Sequence, residues 1–522
     1  MEIQVAGRPD KHILILGAGV MQGPAIDVAK AMGWRCSVVD GDPLAPLRDR
    51  ADSFAHIDLK DVEGITAFAR RLKESRGLDG VFTAGTDFSL PVAQVAEALG
   101  LPGIPVEAAR NASDKARMRA CFDRASVPSP RFVTVDSPDS IHQPLARGTL
   151  SFPLVVKPVD SMGARGCRRV EGLRALEEAI TDALRYSRSG KAIVEEFIDG
   201  PEYSIDALVV DGKIHICGVA DRHIYYPPYF IEMGHTLPAR LSADALEEMI
   251  EVFSRGVRAL GITSGAAKGD VKRSAKGPVI GEIAARLSGG YMSGWTYPLA
   301  SGVPLTKAAL EIAIGCAPSS LVPRWQRSAA ERAFISIPGR IRSVEGTAAV
   351  RALPGVDSLF VRVKSGDEVD FPVNNVSKAG NVIAVADDGD TAIACAERAA
   401  AAIEIVLSVP DSRTEAFLEG PLDSESFPPP AFSLPGSVAA ALDCGSLPKL
   451  TDLFGAAHPV RDWQGRTPRE ALDLVARHAG CALDESGGPH TPPPAFWRAF
   501  FRGSWQGGLY WLEREGPSGR RR

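Results

Sequence analysis

Between residues 12 and 100, short apolar runs alternate with amphipathic stretches, and this alternation restricts the fold more than any other feature. HILILG (12–17), CSVVD (36–40) and LDGVFTAG (78–85) read as buried strands. GPAIDVAKAMG (23–33), VEGITAFARRLKES (62–75) and SLPVAQVAEALG (89–100) read as helices. Strands buried on both faces and separated by helices predict a parallel sheet covered by helices. SDKARMRACFDRAS (113–126) is expected to be a further helix with Ser113 as its N-cap.

From residue 150 the pattern changes to α+β. FPLVVKP (152–158), AIVEEFI (192–198), EYSIDALVV (202–210) and KIHICGVAD (213–221) are expected strands, and 241–261 a long helix. Residues 331–408 form a smaller α+β stretch that ends in one helix, DTAIACAERAAAAIEIVLS. After Pro410 the chain becomes proline-rich, with an aromatic segment FWRAFFRGSWQGGLYWLE at 496–513. That segment reads either as packing against the core or a second copy, or as a module that binds a carrier.

Four stretches carry chemistry. GAGVMQG (17–23) joins a strand to a helix with GxGxxxG rather than GxGxxG spacing, and Asp40 ends the next strand. This is a weak dinucleotide cue, since short glycine turns are common in such folds. Lys157 ends an apolar strand before the loop Ser161-Met162-Gly163-Ala164-Arg165-Gly166, where a phosphate would partner the amine and the loop amides could cover its oxygens. In AIVEEFIDGPEYSID (192–206) the backbone of an exposed VEEFI edge could meet an adenine, and Glu202 could accept from ribose hydroxyls.

The fourth is GDVKRSAKGPVIGEIAARLSGG (269–290). A hairpin turning at Lys276-Gly277 sets Asp270 opposite Glu282, with Val271, Val279, Gly281 and Ile283 on the apolar face. Like charges directly opposed destabilise a sheet unless a cation intervenes. Lys268, Lys272 and Arg286 would make a salt-bridge ladder; a Mg²⁺ ion bound to the two carboxylates and to phosphate oxygens is the other reading.

In this order the four stretches resemble the ATP-grasp superfamily of carboxylate–amine ligases, over about residues 11–408. The resemblance implies a Rossmann-like N-terminal domain that does not bind NAD (1–110) and an ATP-grasp domain (111–330). It also implies a lid-like subdomain (331–410), leaving 411–522 as an additional region. It implies ATP with Mg²⁺, or Mn²⁺, as cofactors. Lys115 and Lys157 would meet the phosphates, and the loop residues Ser161, Gly163, Arg165 and Gly166 would cover them. Glu195 would lie near the adenine amino group, with Glu196, Phe197 and Ile198 offering backbone and Glu202 meeting ribose. Asp270 and Glu282 would be metal ligands, and Lys157 and Arg286 would act on the transferred phosphoryl group. One departure is visible: many members carry Asn two residues after the second carboxylate, and this chain has Ala284. That leaves one firm metal position rather than two.

The implied reaction activates a carboxylate as an acyl phosphate and joins it to an amine, releasing ADP and phosphate. A biotin-carboxylase-like or carbamoyl-phosphate-type enzyme, a non-catalytic nucleotide-binding protein and an NAD-dependent oxidoreductase are the competing readings. The acceptor pocket is sought in DRHIYYPPYFIEMGHTLPARL (221–241), with Asp221, Arg222, His223 and His235, and in Ser288, Gly289 and Gly290 after Arg286. A packed aromatic loop is the plainer account of the first. The net charge of −5 argues against a nucleic-acid partner held by bulk charge, with or without the Arg-rich tail at 519–522. The eight cysteines show no CxxC pair, and no apolar run approaches ~18 residues. A cytoplasmic enzyme acting on small molecules, with a homodimer as one arrangement, is therefore expected.

Overall fold

The computed structural model describes residues 11–454, 460–486, 488 and 490–519. The first ten residues and the arginines 520–522 of the basic tail lie outside the described residues. The chain divides into two compact units. One holds residues up to His223, Gly234–Ala330 and Ala386–Gly389; the other holds Ile224–Met233, Glu331–Val385 and Asp390 onward.

The first unit opens with the expected parallel sheet. His12–Leu16 is buried along its whole length and lies between Arg35–Asp40 and Gly80–Phe82, with Ser53–His56 beyond. Its glycine turn is satisfied internally. Asp40 Oδ2 accepts from the Ala18 N–H at 2.7 Å, and buried Gln22 donates to the Ala84 carbonyl. Gly17 holds φ +100°, and a Cβ there would sit 2.9 Å from Gln22. The turn is thus closed on itself rather than open to a pyrophosphate.

The helix expected at 113–126 is Lys115–Arg124, and its cap is Asp114 rather than Ser113. The Asp114 carboxylate accepts from the N–H groups of Ala116 and Arg117, satisfying two donors that a helix start leaves open. Ser113 instead ends the preceding helix, Val106–Ser113, and bonds back to Ala109.

Two antiparallel sheets follow in the same unit. In the first, Ala192–Glu196 lies between Phe132–Val135 and Leu154–Pro158, with Arg168–Val170 outermost. VEEFI is therefore an interior strand and not an exposed edge. The N–H groups of Glu196 and Phe197 are taken by the carbonyls of Arg131 and Pro153. In the second, Glu202–Val210 lies between Lys213–Tyr225 and Gly265–Ser274, and Gly277–Ala284 flanks the latter. The helix Ala243–Leu260, capped by Ser242, buries Met249, Phe253 and Val257 among Ile205, Val271, Ile280 and Ile283.

The hairpin differs in detail from expectation. The turn residues are Ala275 and Lys276, and Ser274 pairs with Gly277. A register shift between Asp270 and Val271 inserts Gly281, so that Asp270 still opposes Glu282. The apolar face is consequently Val271, Ile280 and Ile283, each fully buried, and not Val279.

The second unit has one continuous core. The helix expected to run through 390–408 stops at Ala401, and Glu404–Leu407 is a strand paired antiparallel with Gly339–Glu345. Ile403, Ile405 and Val406 are β-branched and buried in the core, where a pleated surface suits them. The proline-rich C-terminal region joins this core. Gln506 donates to Ser336 Oγ and the Ile405 carbonyl and accepts from the Ile337 N–H. Phe496, Trp497, Phe500, Phe501 and Trp505 are buried, so the aromatic segment is packing. Tyr226 and Tyr229 of the 221–241 stretch pack on Phe371 and Phe427 in the same core, as the packed-loop reading expects. No helix among the described residues is long and apolar enough to cross a membrane.

Candidate functional site

The expected phosphate-side residues converge in the first unit. Lys115 starts its helix with its side chain buried, donates to the Ser161 carbonyl at 2.8 Å and lies 3.5 Å from Glu282. Burial works against its charge, but Glu282 and Asp87 overcome this and hold the amine above its ordinary range. Lys157 Nζ is 2.7 Å from Glu195 Oε2, and Arg119 Nε donates to the other oxygen at 2.8 Å. Glu195 is 3% exposed. Burial raises its pKa, yet Arg119 and Lys157 outweigh that and keep it below the usual carboxylate range. Glu195 thus fixes the lysine, with both oxygens engaged.

The loop after Lys157 is shaped by left-handed residues: Gly163 (φ +71°), Ala164 (φ +60°) and Gly166 (φ +65°). A Cβ at Gly166 would stand 2.8 Å from Tyr186. Arg165 is exposed and donates to Met162. Glu196 turns away from the lysines to a bidentate pair with Arg131 and to Ser151. Phe197 has two cations over its ring, Arg169 at 4.3 Å and Lys272 at 4.6 Å from the ring centre. Lys272 also donates to the Ile198 carbonyl.

On the hairpin, Asp270 accepts from Ser204 at 3.0 Å, is ion-paired with Lys268 and has Arg222 at 3.3 Å. Arg222, sought among acceptor residues, also pairs with Glu202, its direct neighbour across the sheet. It therefore stands beside Glu202 and Asp270. Glu282 is held below its ordinary range: burial opposes the charge, and Lys115 and Lys157 prevail. The side chains of Asp270 and Glu282 on one face form a hard oxygen donor set that fits one divalent cation, while Ala284 offers only a methyl group.

Arg286 is half-buried and donates from Nη1 to Leu287, but its buried Nε has no hydrogen-bond partner among the described residues. Asp87, not anticipated from the sequence, lies within electrostatic reach of Lys115, Arg286 and Glu282. Burial raises its pKa, and Lys115 and Arg286 oppose the rise without cancelling it. Its loop leaves the carboxyl end of a parallel strand, the place where open α/β sheets present ligand-binding loops, and that position was its one available signal. Ala84 pairs with Leu287, and Gly85 N–H donates to the Leu287 carbonyl, so this loop abuts the glycine-rich segment. A Cβ on Gly85 would come within 3.3 Å of the Gly289 Cα. Gly290 takes φ +60°. His235 is buried on Ile231–Leu237, and His223 bonds Thr236. Asp221 accepts from the Arg240 N–H.

Ser288 donates to buried Asp206 at 2.6 Å and accepts from the Ser293 N–H, which pins the segment after Arg286. Burial pushes the Asp206 pKa up to about 6, against Ser288, Lys268 and Arg286. An acid with a raised native pKa gives stability that is complete below its unfolded value near 3.8 and lost as pH rises through about 6. Asp206→Asn therefore gains on wild type between pH 4 and 7, by on the order of 2 kcal/mol. Denaturant titrations of both proteins at pH 4, 5, 6 and 7 check this; a constant difference would refute it.

Residues 26–103 match the model of the ATP-grasp N-terminal domain, 150–294 the ATP-grasp domain and 333–408 the L-amino acid ligase C-terminal domain 2. The chain thus carries an ATP-grasp domain and an ATP-grasp N-terminal domain. Its fold is similar to L-amino acid ligase from Bacillus licheniformis, at TM-score 0.70 and 21% identity over 77% of this chain and all of that one. Carnosine synthase 1 of Gallus gallus is 28% identical over 60% of this chain and 37% of its own length. D-alanine–D-alanine ligase of Ectopseudomonas mendocina is 32% identical over 35% of this chain and 58% of its own. The chain thus spans about two fifths to three fifths of the length of these two relatives.

Proposed function

We propose that this protein is an ATP-dependent carboxylate–amine ligase joining small amino-acid-like substrates in the cytoplasm. The observation that carries the reading is the buried, unpartnered Nε of Arg286 beside the cluster of Lys115, Glu282 and Asp87. A guanidinium donor without an acceptor among the described residues, beside a phosphate-type lysine and two acidic side chains, suits an anionic group supplied by the substrate. The relatives named as amino-acid ligases support the substrate class.

In this reading a substrate carboxylate oxygen attacks the γ-phosphorus of ATP and ADP leaves, giving an acyl phosphate. The amine nitrogen of the second substrate then attacks the acyl carbon; phosphate leaves, and the nitrogen loses a proton as the amide forms. Lys115 and Lys157 neutralise phosphate oxygens, and Arg286 donates to the developing oxyanion. Asp270 and Glu282 would hold Mg²⁺, or Mn²⁺, which supplies further neutralisation of the phosphate charge when bound. The 161–166 loop covers the phosphates and excludes water. Asp87 places a carboxyl group where a substrate ammonium can meet it.

The test is a panel of amino acids, singly and in pairs, with Mg-ATP, reading ADP, phosphate and dipeptide mass. The expected result is all three in equal amounts for at least one pair. Mg-ATP binding without ADP from any pair would overturn the reading in favour of a nucleotide-binding protein.

A further inference from the structure

A two-residue turn at Ala275-Lys276 pairs Val271 with Ile280. Continued without interruption, it would set Asp270 against Gly281 and send Glu282 to the same side as Ile280, into the core, because strand side chains alternate. The inserted Gly281 reverses this: Ile280 and Ile283 are both buried, and Glu282 points out beside Lys115. The bulge therefore aims a carboxylate, a familiar use of such irregularities.

The side chain that holds the bulge is Arg119. Its Nη2 donates to the Gly281 carbonyl at 2.5 Å, and its Nε donates to Glu195, which grips Lys157. Arg119 lies one helical turn after Lys115, so one face of the helix Lys115–Arg124 meets both the bulged strand and the lysine strand. The guanidinium is wholly buried, and its Nη1 has no hydrogen-bond partner among the described residues. Stability alone does not explain such a group, since a buried ion pair often does no better than apolar packing.

We infer that Arg119 is a positioning residue that locks the Lys157 amine and the Glu282 carboxylate into one fixed arrangement for Mg-nucleotide. The inference rests on the ligase reading above and adds to it a coupling between two strands that lie in different sheets. It touches neither nucleotide nor metal; it acts through Glu195 and through the backbone of Gly281.

The experiment measures equilibrium binding of a fluorescent ATP analogue to the full chain, without Mg²⁺ and along a Mg²⁺ titration. Arg119→Met and Arg119→Lys are compared with wild type and with Val257→Ala, a destabilising core change on the helix Ala243–Leu260. Removing a group that orients ligand-bearing residues typically weakens binding 10- to 100-fold. Both Arg119 variants are expected to need about ten-fold more Mg²⁺ for half-saturation and to bind the metal-free analogue more weakly. Val257→Ala melts lower but keeps both constants. Should Arg119→Met lose its fold, Arg119→Lys, which keeps the buried charge but is too short to bridge Glu195 and Gly281, makes the same comparison. Constants within about two-fold of wild type in a folded Arg119 variant overturn the inference alone. Wild type that binds no analogue overturns the ligase reading, and this inference with it.

Discussion

Glu282→Gln lowers Mg²⁺-dependent ADP formation by about 10²–10³-fold, the scale of one preorganised electrostatic contact in a reacting site. The change keeps the volume of the side chain and removes its charge. That charge serves two partners: the cation expected between Glu282 and Asp270, and Lys115 at 3.5 Å. Lys115 is buried, and much of what keeps it protonated is Glu282. Without the carboxylate its pKa falls, as burial dictates, and the phosphates lose a counter-charge as well as a metal ligand. The loss should therefore appear in kcat and in the Mg²⁺ requirement together, with little change in melting temperature. ADP release measured across a Mg²⁺ series at saturating ATP checks this. Turnover by Glu282→Gln within a few-fold of wild type would sink the metal assignment.

The parallel sheet was legible because burial on both faces writes continuous apolar runs, and HILIL is such a run. The opposition of Asp270 and Glu282 was legible too, although it depends on a bulge at Gly281 that strand alternation does not reveal. What escaped depended on distant partners. AIVEEFI reads as an edge, and only its pairing with Phe132–Val135 makes it interior. The run ending in IEIVL reads as helix until Gly339–Glu345 arrives to pair with it. Asp87 and Arg119 were invisible for the same reason. A single acid in a loop and an arginine in a basic helix carry no pattern of their own; the fold brings one to Lys115 and the other to Glu195 and Gly281.

Residues 411–522 looked like an appendage because proline-rich stretches lie on both sides of the helix expected at 469–480, and the strongest expectation against that view concerns Trp497. Its side chain is fully buried, with ring centres at 5.1 Å from Phe496, 5.6 Å from Phe454 and 5.7 Å from Phe500, and its indole N–H donates to the Pro492 carbonyl. Trp497→Ala removes the largest fully buried side chain among the described residues and leaves neighbouring rings without contacts, at a cost of about 3–5 kcal/mol. For a unit of this size that corresponds to a fall of roughly 10 °C in its melting temperature. Calorimetry is the suitable measurement, since a chain of two compact units need not unfold in a single step. The transition that moves should be the one belonging to the unit that contains Glu331–Val385, because Gln506 ties the same aromatic segment to Ser336, Ile337 and Ile405. A shift of less than about 2 °C would mean that the segment is a surface attachment, and that the rest of the unit has a core sufficient without it.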